Sequence, residues 1–193
     1  MNKPANYSCY MYRVEFEYVK VEVLSTHPIL LVYHQFATTQ EIKAFLTDAD
    51  SKEMKMLKVT DSEGNLILNK GRQANGTSMK HEETKAVGAV FRKIEKSIPA
   101  VDFRRSEAWQ VLSYLPGGHY APHYDFFNYT SKEHRDQFTR DFGDRFATLL
   151  LVLQTAKGGG ETVYPYLFRT ITPKPGDVLF WTNLDKLGNG VSL

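Results

Sequence analysis

Trp109-Gln110-Val111-Leu112-Ser113-Tyr114-Leu115-Pro116-Gly117-Gly118-His119-Tyr120-Ala121-Pro122-His123-Tyr124-Asp125-Phe126 is the stretch on which the reading turns. Trp109 to Tyr114 has the apolar, aromatic character of a strand. Pro116-Gly117-Gly118 is turn chemistry. Tyr120 to Phe126 then reads as a second strand. In an extended segment, residues two apart share a face. The reading therefore places one imidazole, His123, and one carboxylate, Asp125, toward a common point.

The same signal continues downstream. Thr148 to Gln154, Thr162 to Tyr166, Phe168 to Thr172 and Val178 to Thr182 each read as short strands. Gly158-Gly159-Gly160 and Pro173-Lys174-Pro175-Gly176-Asp177 separate them as turns. Upstream the signals are mixed. Val14 to Val23 alternates like a strand, but its apolar residues change parity, which predicts a bulge or break near Tyr18-Val19. Ile29 to Tyr33 follows Pro28 as another apolar run. Thr38 with Glu41 forms a capping box ahead of Ile42, Ala44, Phe45 and Leu46, predicting a short helix. Val87, Val90, Phe91, Ile94 and Ile98 form one apolar stripe, predicting a helix over about His81 to Ser97 that Pro99 ends. Helices first and many short strands after them predict an α+β, mainly β fold, a jelly roll with flanking N-terminal helices. Asn128 to Asp144 is polar and charged, and is predicted to be a long loop acting as a lid.

Bulk properties narrow the function class. A chain of 193 residues suits one domain and can bury roughly 70% of its unfolded surface. Its net charge of +2 gives no electrostatic case for a nucleic-acid partner. No apolar run approaches a membrane span. The single cysteine, Cys9, excludes an internal disulfide, and the first residues lack the apolar core of a secretory signal. Asn6, Asn75 and Asn128 head N-x-[ST] triplets, a weak pointer to a secretory route.

An imidazole and a carboxylate at H-x-D spacing supply two thirds of the 2-His-1-carboxylate facial triad that holds non-haem Fe(II). Histidine and aspartate two apart also occur by chance. His119 and His123 have the spacing of a zinc helix, but the glycines and Pro122 argue against a helix. In a strand they would lie roughly 13 Å apart, too far to share a metal. His27, His34, His81 and His134 show no ligand spacing and read as surface or structural residues.

Taken with its neighbours, the stretch Val111 to Phe126 closely resembles the metal strand of the collagen-type prolyl 4-hydroxylases, members of the Fe(II)/2-oxoglutarate dioxygenase superfamily. Further matches follow in order. Asp144-Arg145-Phe146-Ala147-Thr148-Leu149-Leu150-Leu151 looks like the next core strand. Gly159-Gly160-Glu161-Thr162-Val163-Tyr164-Pro165 is similar to the family's Gly-Gly-Glu-Thr turn. Pro173 to Trp181 resembles the strand leading to the distal ligand. The resemblance covers about residues 19 to 193 as a double-stranded β-helix, with 1–18 as an N-terminal extension.

The resemblance implies Fe(II), 2-oxoglutarate as co-substrate, ascorbate, and hydroxylation of proline in a proline-rich or collagen-like peptide. It implies His123 and Asp125 as metal ligands, Tyr114 and Thr148 as 2-oxoglutarate contacts, and Tyr120, Arg145 and Trp181 on the substrate side. Core packing is the competing role for Tyr114, Thr148 and Trp181, and a surface ion pair for Arg145. Protein disulfide isomerase is implied as a partner and the endoplasmic reticulum lumen as the location. Gly190-Val191-Ser192-Leu193 looks like the run before the distal histidine, so the jelly roll is read as incomplete, lacking its last strands, that histidine and the 2-oxoglutarate lysine. The alternative is a catalytically dead relative that binds proline-rich peptide or a hydroxylase partner.

Overall fold

The computed structural model describes residues 8–127, 129 and 131–193. In chain order the elements are β1 (Ser8–Val14), β2 (Glu17–Thr26), β3 (Ile29–His34), α1 (Thr39–Asp50), β4 (Lys55–Met56), β5 (Val59–Thr60), β6 (Leu66–Ile67), β7 (Arg72–Gln73), β8 (Asn75–Met79) and α2 (Lys85–Ser97). There follow β9 (Trp109–Ser113), β10 (His119–Tyr120), α3 (Gln137–Phe142), β11 (Ala147–Leu151), β12 (Thr162–Tyr164), β13 (Arg169–Ile171) and β14 (Val178–Thr182). The chain divides into two compact units. The first comprises the described residues of Met1–Lys43, Tyr124–Phe126 and Arg145–Leu193; the second comprises those of Ala44–His123 and Phe127–Asp144.

The first unit is built on a five-stranded sheet of order β1-β2-β3-β14-β11, antiparallel at every pairing. Its centre is the run Val178-Leu179-Phe180, buried on both faces, as expected of an apolar strand with no alternation. Register places Leu30 opposite Trp181, Val32 opposite Leu179, Leu150 opposite Leu179 and Thr148 opposite Trp181, so these side chains share one face. That face gathers Leu30, Val32, Val152, Tyr164 and Leu179 into a buried cluster. The β12–β13 hairpin supplies Tyr164 to it.

Two turns fix the sheet's ends. Gly176 sits at φ 92°, and a Cβ there would lie 2.4 Å from the Ala37 carbonyl oxygen, so only glycine fits. Next to it Asp177, 3% exposed, accepts from the Gln35 amide at 2.9 Å and the Lys174 amide at 2.9 Å. A buried carboxylate needs such donors. His34 Nε2 meets Glu22 Oε2 at 2.7 Å, a structural hydrogen bond.

In the second unit, β4, β8 and β9 form a three-stranded sheet, and β7 pairs with β10. α2 buries Val87, Val90, Phe91 and Ile94, the predicted stripe. It starts at Lys85 rather than His81, because the Thr84 hydroxyl accepts from the Val87 amide at 3.1 Å and caps the helix there. α1 opens on the predicted capping box: the Glu41 amide donates to Thr38 Oγ1 at 3.2 Å, and the Thr38 amide to Glu41 Oε2 at 2.7 Å.

Several expectations are corrected. Val14 to Val23 is not one bulged strand; β1 turns back into β2 at Glu15-Phe16, with Glu15 at φ 53°, and that turn resets the parity. The bulge of β2 lies between Val23 and Ser25. Asn128 to Asp144 is not a plain loop: it holds a 3-10 turn at Lys132–His134 and α3, capped by the Asp136 side chain on the Thr139 amide. Asn6 and Asn128 lie outside the described residues, while Asn75 is paired within the β4-β8-β9 sheet. The strand predicted over Tyr120 to Phe126 is limited to His119–Tyr120. Pro122 has no amide hydrogen to continue the ladder. The Ala121 amide is already committed to the Gly71 carbonyl at 2.6 Å.

Candidate functional site

Because the ladder stops at Tyr120, the alternation argument for His123 and Asp125 does not apply. Each is held by its own surroundings. Asp125 belongs to the first unit and His123 to the second.

In the first unit, Thr148 on β11 donates its hydroxyl to Asp125 Oδ2 at 2.6 Å. Asn183, just past β14, donates Nδ2 to Thr148 Oγ1 at 2.9 Å. The direction of this chain is forced. An ionised carboxylate only accepts, so the one hydroxyl proton goes to Asp125, and Thr148 must then accept from Asn183. Asn183 is 2% exposed, and its own amide donates to the Phe146 carbonyl at 2.8 Å. Arg145 Nη1 reaches the Asp125 carbonyl at 3.3 Å. A carboxylate bonded in this way is charge-assisted and oriented.

Trp181 stands edge-on to Tyr164, with ring centroids 5.5 Å apart and planes at 77°. Tyr164 is buried, and burial together with the charge of Asp125 pushes its phenol well above the usual tyrosine range. Tyr164 and Asn183, which contact Trp181 and Thr148, were not singled out from the sequence.

In the second unit, His123 Nδ1 lies 2.8 Å from the Ala121 carbonyl oxygen. A carbonyl only accepts, so Nδ1 is the donor in this contact and Nε2 is the ring nitrogen left for a metal. A metal-ligating histidine commonly donates its other ring nitrogen to a backbone carbonyl in this way. Tyr120 stacks on the His123 ring with centroids 3.6 Å apart and planes at 17°. The Arg72 guanidinium covers the Tyr120 ring at 4.7 Å, making a cation–π–imidazole stack. Tyr114 follows β9 and is half-exposed; partial burial raises its phenol's affinity for its proton, while Arg72 opposes this. His119 is exposed on β10, opposite Gln73.

Among the described residues, no three histidine, cysteine, aspartate or glutamate side chains gather as a metal cluster. The donor types fit Fe(II) nonetheless. His123 is an imidazole held through Nδ1, and Asp125 is a carboxylate oriented by a hydroxyl. Among the described residues, no helix is long and apolar enough to cross a membrane.

Residues 109–187 match the model of the 2OG-Fe(II) oxygenase superfamily. The chain is 31% identical over 169 residues to Prolyl 4-hydroxylase 5 of Arabidopsis thaliana, covering 87% of this chain and 54% of the relative. It is 31% identical over 188 residues to Prolyl 4-hydroxylase subunit alpha-2 of Caenorhabditis elegans, covering 94% of this chain and 34% of that protein. It therefore spans about half the length of the first relative and about a third of the second. A solved structure of the viral collagen prolyl hydroxylase of Paramecium Bursaria Chlorella virus-1, in complex with 2OG, superposes with a TM-score of 0.62. That match has 21% identity and covers 84% of this chain and 82% of that one, which establishes the jelly-roll fold expected from the sequence. Residues 109–187 are thus similar to the 2OG-Fe(II) oxygenase superfamily, and most of the chain is similar in sequence to prolyl 4-hydroxylases.

Proposed function

We propose that this chain serves Fe(II)- and 2-oxoglutarate-dependent hydroxylation of peptidyl proline, with His123 and Asp125 as metal ligands. The observation that carries the reading is the 2.6 Å bond from Thr148 to Asp125, inside the segment that matches the superfamily. When bound, Fe(II) with 2-oxoglutarate and dioxygen supplies the oxidising chemistry.

The chain's own residues prepare for it. The Ala121 carbonyl holds the Nδ1 proton of His123 and so presents Nε2 to a metal. Thr148 keeps Asp125 in one orientation, and Asn183 keeps the Thr148 proton aimed at it. Tyr114 contributes a hydroxyl for 2-oxoglutarate. Tyr120, Arg145 and Trp181 face the peptide. Ascorbate would be the reductant for iron held by His123 and Asp125. The peptide is proline-rich or collagen-like, protein disulfide isomerase is the partner, and the endoplasmic reticulum lumen is the place of work; homology to collagen-type enzymes supports these three. Residues 19–193 form the dioxygenase domain and 1–18 extend it.

The test is succinate formation from 2-oxoglutarate with Fe(II), ascorbate and a proline-rich peptide. Turnover that depends on the peptide and is lost in His123→Ala and Asp125→Ala supports the proposal. Peptide binding with no turnover under any metal condition would replace it with the non-catalytic binding role.

A further inference from the structure

Tyr164 carries a hydroxyl that the fold does not use. The residue is 4% exposed and lies in the cluster of Leu30, Val32, Val152 and Leu179. Its ring packs edge-on against Trp181, a contact that phenylalanine would make equally well. Its oxygen is buried and has no hydrogen-bond partner among the described residues. Among the described residues of the first unit, it is the one buried side-chain polar atom left so. A buried donor without a partner destabilises a fold, so such a group points to a ligand that completes it.

The surroundings say which ligand. Trp181 sits directly opposite Thr148 in the β11–β14 pairing, and Thr148 holds Asp125. The Tyr164 ring thus packs on the face of the sheet whose Thr148 holds the carboxylate assigned to the metal. A phenol in an apolar wall is a donor suited to a carboxylate oxygen that must leave water. We propose that the Tyr164 hydroxyl donates a hydrogen bond to a carboxylate of bound 2-oxoglutarate and is a specificity-determining contact for that acid. This rests on the function proposed above.

The experiment is calorimetric titration of the 193-residue chain with 2-oxoglutarate in the presence of Zn(II), alongside thermal unfolding without ligand. Tyr164→Phe should bind 2-oxoglutarate about tenfold more weakly, as loss of one hydrogen bond to a charged group predicts. Its unliganded unfolding temperature should stay equal or rise, because the orphaned hydroxyl is gone. In the unmutated chain labelled with carbon-13 at tyrosine Cζ, the Tyr164 resonance should shift on adding 2-oxoglutarate. That readout needs no variant to fold. Equal affinity in Tyr164→Phe, or a Tyr164 resonance that does not move on saturation, overturns the inference and leaves the proposed function standing. Absence of 2-oxoglutarate binding by the unmutated chain overturns both.

Discussion

Thr148 and Asp125 are 23 residues apart in sequence and 2.6 Å apart at their side-chain oxygens. This bond ties the central sheet, through β11, to the segment that carries the candidate carboxylate ligand. Replacing Thr148 by valine removes the hydroxyl that bonds both Asp125 and Asn183. It should lower stability by about 1.5–3 kcal/mol, the range for a hydrogen bond to a charged group. It should also weaken divalent metal binding, while Thr148→Ser retains both. Denaturant titration and metal titration of the two variants check this.

The turn at Gly176 is the tightest backbone approach in the first unit's central sheet. Gly176→Ala introduces a Cβ at φ 92° and 2.4 Å from the Ala37 carbonyl oxygen. Left-handed strain alone costs about 1–3 kcal/mol. The turn must shift as well, and Asp177 with it. The urea midpoint should fall, and an unchanged midpoint would show that the turn has room.

Thr84 closes the amino end of α2. Thr84→Ala removes the cap on the Val87 amide and the hydroxyl bond to Asp48 at 2.5 Å. Loss of an N-cap costs about 1 kcal/mol. Thermal unfolding should show that loss, with no change in metal affinity, because Thr84 touches none of the candidate site residues.

Asp185 organises the loop after β14, accepting from the Leu187 and Asn189 amides at 2.8 and 2.9 Å. Those bonds, led by the Asn189 side chain, hold its pKa below the ordinary 3.8. A depressed carboxylate contributes fully above its unfolded pKa, and the contribution is lost as pH falls through the folded value. The Leu187 and Asn189 amides should therefore keep their hydrogen-exchange protection from neutral pH down to about 4 and lose it below. Loss of protection on raising the pH would contradict the sign.

Much of the frame was legible because it rests on local rules. Val178 to Trp181 is a continuous apolar run, and such a run marks a strand buried on both faces. Thr38 and Glu41 satisfy each other across one helical turn, and the α2 stripe has helical spacing. The hairpin at Glu15-Phe16 was hidden because its turn lacks the glycine or asparagine that usually takes positive φ. β4 to β7 escaped because strands of two residues carry no period. α3 escaped because six residues, with Phe138 and Phe142 as the apolar ones, are too few to show a helical stripe, although Asp136 caps it.

The site divides in the same way. Thr148 was reached through family resemblance, and in the structure its hydroxyl bonds the Asp125 carboxylate. Asn183 stands 35 residues from Thr148 and next to an ordinary strand end, so nothing local distinguished it. Tyr164 sits in the Gly-Gly-Glu-Thr turn region as one more aromatic, and only burial of its hydroxyl singles it out. The H-x-D pair was identified by spacing, but the alternation argument behind it failed at Pro122.

The central claim is that His123 and Asp125, not His119, hold the metal. Mn(II) titration followed by electron paramagnetic resonance tests it most directly, on the unmutated chain and on His123→Ala, Asp125→Ala and His119→Ala. The account predicts one bound Mn(II) whose affinity falls at least about tenfold in each of the first two variants and stays unchanged in the third. Binding that survives His123→Ala and is lost in His119→Ala would contradict it.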